Sequence, residues 1–280
     1  MYKYEIEGTF LLEKLENNNI KPVQLVENLL SKYSSSHCKK ILGYIRKKLD
    51  KNDVNYNMLV LPNDIIKKMK IDYSKKLVQN HKELIAIDKI KHINCIDNLA
   101  NQTLYKTGVG LAGLTGRRCS EIFGTGFFTI YDVKMNLLKF SGCIKGKNNA
   151  VKSVIIPCLN NVKIFMKQWS RFVKNINLLY DYKSINNHQE HIKWFESNFE
   201  TIKRGCIKIN NRASKDLSLI VKKELGNKFT FKDLRAIYIA LAIKFYKPDN
   251  VSQAYYTSNI LGHSENDLQT QNSYMKYRII

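Results

Sequence analysis

Residues 127–157 read FFTIYDVKMNLLKFSGCIKGKNNAVKSVIIP. Three short runs, FFTIYDV, LLKFSGCI and VKSVIIP, are rich in aromatic and β-branched residues. The linking segments KMN and KGKNNA are turn-like. Runs of this kind, bounded by turn residues, predict a small three-stranded antiparallel sheet.

On both sides of that sheet the texture is helical. FLLEKLENN, PVQLVENLLSKY and KKILGYIRKKL carry apolar residues at three- and four-residue spacing, with lysines on the polar faces. After Pro157 the same spacing returns in NVKIFMKQWSRFVKNINLLY, DLSLIVKKELG and DLRAIYIALAIKFY. The last of these stops before Pro248. The expected fold class is therefore mainly α with a small three-stranded antiparallel sheet (α+β). The change of texture near residue 100 divides the chain into a helical domain, 1–98, and a second domain, 99–280.

Composition narrows the partners. Among 280 residues, 46 Lys and Arg face 24 Asp and Glu, a net charge of +22. Apolar residues make up 44%, so the chain is globular rather than disordered. An excess of positive charge this large repels itself and points to a polyanion, with nucleic acid ahead of an anionic membrane surface. Lysine and asparagine are also favoured by AT-rich genomes, so compositional drift is an alternative source for part of such an excess. The start, MYKYEIEGTF, has charges where a signal peptide needs an apolar run. No stretch approaches the ~18 apolar residues of a membrane span. A cytoplasmic protein, bacterial or in a virus-infected cell, is expected. The six cysteines show no CxxC spacing, which argues against a zinc site or a disulfide scaffold. His188 and His191 have a helix-compatible spacing for a metal, but no third ligand is evident, so no metal is assigned.

Four motifs carry candidate chemistry. In LTGRRCSEI, Thr115 could cap a helix whose first turn holds Arg117 and Arg118, with Glu121 following. Arginine's planar fork matches phosphate oxygens, although surface arginines paired with Glu121 are the plainer reading. In FSGCIKGKNNA, Lys145 and Lys147 sit at a hairpin tip, otherwise an ordinary polar turn. In TFKDLRAIYIALAIKFY, Leu234, Ile237, Tyr238, Leu241 and Phe245 form an apolar stripe. Arg235 lies beside that stripe with Lys232 one turn before it, so its guanidinium needs an anionic partner, which a structural salt bridge alone would supply. In LGHSENDLQTQNSY, Gly262 allows a tight turn before His263, and Asp267 could cap a closing helix that carries Tyr274. Alone, this last motif reads as a core histidine and a surface tyrosine.

Taken together, TGRR, the hairpin lysine, KDLR, LGH and a following tyrosine resemble the tyrosine recombinase and topoisomerase IB superfamily of DNA breaking-rejoining enzymes. LRAIY, ILGH followed by NDLQT, FSGCIK and the eleven positions from His263 to Tyr274 resemble the telomere resolvases, or protelomerases, within it. The resemblance covers about residues 105–280. It implies a catalytic set of Arg118, Lys145, Arg235, His263 and the nucleophile Tyr274, supported by Glu121 and Lys232. Lys147 is the alternative to Lys145, and Tyr277 the next candidate nucleophile. It also implies a helical DNA-clamping domain at 1–98, closing around the duplex with a tyrosine recombinase-like catalytic domain at 99–280.

The chemistry implied is DNA transesterification through a 3′-phosphotyrosyl link, without metal, ATP or other cofactor. A free tyrosine, with a pKa near 10, is a poor nucleophile at neutral pH, and nearby cations favour its phenolate. The implied partner is double-stranded DNA with an inverted-repeat site, bound by a homodimer that leaves hairpin ends. A conventional integrase acting as a tetramer is the nearest alternative. A DNA-binding relative without catalysis is a further one, and a membrane-surface protein is more distant.

Overall fold

The computed structural model of the protein describes residues 3–17, 19–143, 153–262 and 274–280. The chain forms two compact units, Met1–Gln79 and Asn80–Ile280. The division falls earlier than the sequence texture indicated at 98/99, because residues 80–98 are tied into the second unit through the strand Ile85–Ile87 and the helix Lys89–Leu99.

The first unit is helical: α1 (Lys3–Glu16), α2 (Pro22–Lys32), α3 (Ser35–Lys48), α4 (Val54–Met58) and most of α5 (Asn63–Lys82), which runs on past the boundary. Pro22 opens α2, where its missing N–H costs nothing. The Asp53 side chain accepts the Asn55 N–H to start α4. Leu25, Val26 and Leu29 of α2 and Cys38, Ile41, Leu42 and Ile45 of α3 turn inward at helical spacing, forming one core with Leu15, Leu59 and Leu61. The last turn of α3 ends in Arg46, Lys47 and Lys48, where cations suit the carbonyl end of a helix.

The second unit begins with β1 (Ile85–Ile87), α6 (Lys89–Leu99) and α7 (Leu104–Thr115). The stretch KTGVGLAGLTG holds four glycines. Gly108, Gly110 and Gly113 lie within α7, which is buried from Thr107 to Thr115, and Gly116 follows its last residue. At Gly110 the backbone of α6 comes so close that an added Cβ would stand 2.4 Å from the Ala100 nitrogen. Only glycine permits this approach between the two helices.

A one-turn π-helix (Glu121–Thr125) then leads into β2 (Phe127–Asp132), β3 (Leu137–Ser141) and β4 (Val154–Pro157). These form the expected antiparallel sheet, with Phe128 opposite Phe140 and Leu138 opposite Ile156. On the inner face Phe128 packs against Phe140 and meets Phe165 and Trp169 of α8 (Val162–Val173) edge-on. Next come α9 (His188–Ser197), α10 (Phe199–Leu225), α11 (Phe231–Tyr246) and α12 (Gln253–Leu261). Leu234, Ile237, Tyr238 and Leu241 bury the α11 stripe as read from sequence, and the Tyr238 hydroxyl donates to the Pro157 carbonyl at 2.8 Å. Phe245 departs from that stripe: it is 42% exposed, under the Lys89 ammonium.

The sequence reading missed β1 and β5 (Tyr277–Ile279). They pair in parallel, Ile85 opposite Tyr277 and Ile87 opposite Ile279. Among the described residues, no helix is long and apolar enough to cross a membrane.

Candidate active site

The site forms where two helix ends meet. Thr115 does not cap a new helix. It is the last residue of α7, and its hydroxyl donates to the Leu111 carbonyl at 2.7 Å. Gly116 ends the helix in the left-handed conformation, φ +65°. Arg117 and Arg118 therefore occupy a short connection before the helix resumes at Cys119.

The last carbonyls of α7 and α12 have no partners within their own helices. Arginines supply them. Arg117 Nε donates to Thr115 O at 3.1 Å and its Nη2 to Ile260 O at 2.5 Å. Arg235 Nη1 donates to Gly116 O at 2.7 Å and its Nη2 to Leu261 O at 3.3 Å. Cations are favoured at these carbonyl ends. Arg117, which the sequence reading named only beside Arg118, thus cross-links both helices and lies over the Phe140 ring at 4.8 Å.

Glu121 is fully buried beneath these cations. Its carboxylate takes the Arg118 backbone N–H at 2.9 Å and Arg118 Nη1 at 2.5 Å, and stands 3.7 Å from Arg235 Nη1. Burial opposes its charge, but Arg118, Arg235 and Arg117 outweigh burial and hold its pKa down to about 2. For Arg118 burial likewise opposes the charge, and the Glu121 carboxylate more than offsets it, raising the pKa. Arg235 is buried. Burial, reinforced by the like charge of Arg118, lowers its pKa to about 10, which leaves it charged at neutral pH. Its Nε has no hydrogen-bond partner among the described residues.

Tyr274 lies at the edge of this cluster, with the Arg235 guanidinium carbon 5.9 Å from its ring centre. Both Arg118 and Arg235 interact electrostatically with it. Tyr277 differs in kind. It is buried, donates its hydroxyl to Asp233 at 2.8 Å, and has its pKa raised by that burial and then by Asp233. Both features weaken Tyr277 as a nucleophile candidate.

The structure thus gathers Arg118, Glu121, Arg235 and Tyr274. Lys232 stands apart, exposed one turn before Arg235. Lys145, Lys147, His263 and Asp267 lie outside the described residues. Gly262 is as the sequence suggested, left-handed at φ +65°, at the end of α12. His188 and His191 share one hydroxyl, Ser141 Oγ, at 2.9 and 2.8 Å. Burial lowers both their pKa values to about 4, so both are neutral at pH 7. Asp233 and Lys276 were missed as site neighbours, and Tyr277 was named only as an alternative nucleophile. The Thr-x-x-Asp signature at Thr230 could have flagged Asp233 as a helix cap, but nothing in the sequence linked it to the tail.

Three guanidiniums around one buried carboxylate leave a net positive cluster, and Arg118 is the most exposed of the three. Such a cluster suits an anion with charge spread over several oxygens, as on a phosphodiester.

No curated protein matches the sequence significantly. Among solved structures, a protelomerase TelA covalently complexed with substrate DNA aligns with a TM-score of 0.62 at 18% identity, covering 100% of this chain and 83% of that one. A protelomerase TelK complexed with substrate DNA aligns with a TM-score of 0.63 at 18% identity, covering 99% of this chain and 58% of that one. The family model described as the telomere resolvase ResT/TelK catalytic domain matches residues 75–277, a span that holds β1, the arginine cluster and Tyr274. The chain belongs to the telomere resolvase ResT/TelK catalytic domain family.

Proposed function

We propose that this protein is a telomere resolvase, which breaks and rejoins DNA at inverted-repeat sites and leaves covalently closed hairpin ends. The observation that carries this reading is the meeting of Arg118, Glu121 and Arg235 beside Tyr274 in a chain of this family.

Tyr274 attacks the scissile phosphorus through its phenolic oxygen. A 3′-phosphotyrosyl bond forms and the 5′ oxygen departs. Lys145 or Lys147 gives that oxygen its proton as general acid. Arg118, Arg235 and His263 hold the non-bridging oxygens as negative charge grows on them, and Glu121 fixes the first guanidinium. Each freed 5′-hydroxyl then attacks the phosphotyrosine of the opposite strand and releases Tyr274. One phosphodiester is exchanged for another at each step, so the chemistry requires no ATP. The arginines supply the positive charge for which other phosphoryl-transfer enzymes use a metal. Two subunits on an inverted repeat suffice, and the lysine-rich helical N-terminal unit adds grip on the phosphate backbone.

The test incubates purified protein with a replicated-telomere inverted repeat, without metal or ATP. Products that snap back after denaturation support resolution. Linear recombinants between two sites assign a conventional integrase, and absence of any covalent adduct on cognate DNA assigns a DNA-binding relative without catalysis.

A further inference from the structure

Asp233 has two tasks, and only one belongs to its helix. As the third residue of α11, its Oδ2 accepts the Thr230 backbone N–H and the Thr230 hydroxyl, both at 2.7 Å. That completes a helix cap. Its other oxygen, Oδ1, faces the tail, where it accepts the Tyr277 hydroxyl at 2.8 Å and the Lys276 ammonium. The cap needs neither contact.

The tail is also fixed along its backbone. Ile85 N donates to Lys276 O at 3.0 Å, Ile280 N to Ile87 O at 3.0 Å, and Lys244 Nζ to Ile279 O at 3.1 Å. The Tyr277 ring packs on Phe229, 6.2 Å between centres. Tyr274 lies three residues upstream of Tyr277, and three peptide units reach at most about 10 Å. A tail fixed at Lys276 and Tyr277 therefore limits how far Tyr274 can move from its place beside Arg235, whose guanidinium carbon stands 5.9 Å from the Tyr274 ring centre.

We propose that Asp233, Lys276 and Tyr277 form a positioning device that registers Tyr274 against Arg235. The proposal rests on the reading of Tyr274 as the nucleophile. These three residues touch no substrate. They act through the placement of Tyr274, where a displacement of about 1 Å can cost a hundredfold in rate.

The experiment measures single-turnover formation of the covalent adduct at saturating inverted-repeat DNA, alongside DNA affinity and thermal midpoint. Tyr277→Phe keeps the ring and removes the hydroxyl. Lys276→Gln removes a partly exposed cation without disturbing the core. Each should slow adduct formation about tenfold or more while DNA affinity changes less than twofold. Lys276→Arg, which keeps the charge, should recover most of the rate. Hydrogen exchange at residues 85–87 and 277–280 should quicken in the two slow variants. Wild-type rates in Tyr277→Phe and Lys276→Gln would overturn the positioning role and leave the proposed function standing. Losses confined to the thermal midpoint would do the same. Adducts that persist in Tyr274→Phe but vanish in Tyr277→Phe would make Tyr277 the nucleophile and overturn it. Absence of adducts from the wild type on any cognate site would remove both readings together.

Discussion

Arg118 meets the Glu121 carboxylate twice, through its backbone N–H at 2.9 Å and its guanidinium at 2.5 Å. One acidic side chain thereby fixes both the start of the π-helical turn and the direction of the arginine. Because Glu121 is fully buried, Glu121→Ala leaves Arg118 and Arg235 uncompensated. Removing one partner from a buried ion pair costs roughly 3–5 kcal/mol. Urea unfolding of Glu121→Ala should show a loss of that order.

Acid should unfold the protein in two stages. His92, His188 and His191 have folded pKa values of about 4, lowered by burial. A lowered folded value contributes stability above the unfolded pKa of about 6.5, lost as pH falls toward 4. The sum for three such groups is on the order of several kcal/mol. Glu121, held to about 2, contributes above its unfolded value near 4.5 and loses that contribution as pH falls toward 2. Unfolding free energy measured at stepped pH should fall first between about 6.5 and 4 and again below about 4.5. His191→Phe should shrink the first stage by about a third, since His92 and His188 remain, and spare the second.

Tyr274→Phe should abolish covalent protein–DNA adducts and leave DNA affinity within about twofold, since the lost hydroxyl is one contact among many phosphate contacts. Denaturing gels and a binding titration on the same preparation check both halves.

Arg235→Lys should lower the single-turnover rate about a hundredfold or more. A lysine cannot keep the carbonyls of Gly116 and Leu261 and also present a planar fork to a phosphate. DNA binding by a gel-shift titration should change far less than the rate.

Gly110→Ala places a Cβ 2.4 Å from the Ala100 backbone nitrogen, where no side chain can swing aside. Overpacking of this kind costs typically ~1–3 kcal/mol. At roughly 2–4 °C per kcal/mol, the thermal midpoint should drop by several degrees.

The sequence was most informative where local chemistry decides structure. The β-branched and aromatic runs of residues 127–157 formed the three strands, and the helical stripe of α11 was visible apart from Phe245. The demand that Arg235 find an anion was also legible, because a guanidinium beside an apolar stripe must be neutralised or hydrogen-bonded. Long-range pairing left no such mark. Ile85–Ile87 and Tyr277–Ile279 are too short to carry a periodic signal, and their partnership spans almost the whole second unit. Thr115 misled for a related reason. Threonine serves either end of a helix, and only the packing of α7 on α6 decides which. The role of Arg117 depends on carbonyls at Thr115 and Ile260, and the second of these lies 143 residues away.

The parallel pairing of β1 with β5 has a further consequence, for the order of folding. Closing a loop of that length carries a large entropic cost, and nothing rewards it until the intervening helices and sheet have collapsed. The two strands should therefore zip together late. In a refolding experiment, the arginine cluster would assemble first, as an anion-binding but chemically idle surface, and the tyrosine would be the last part delivered. Competence to bind DNA would precede competence to cut it.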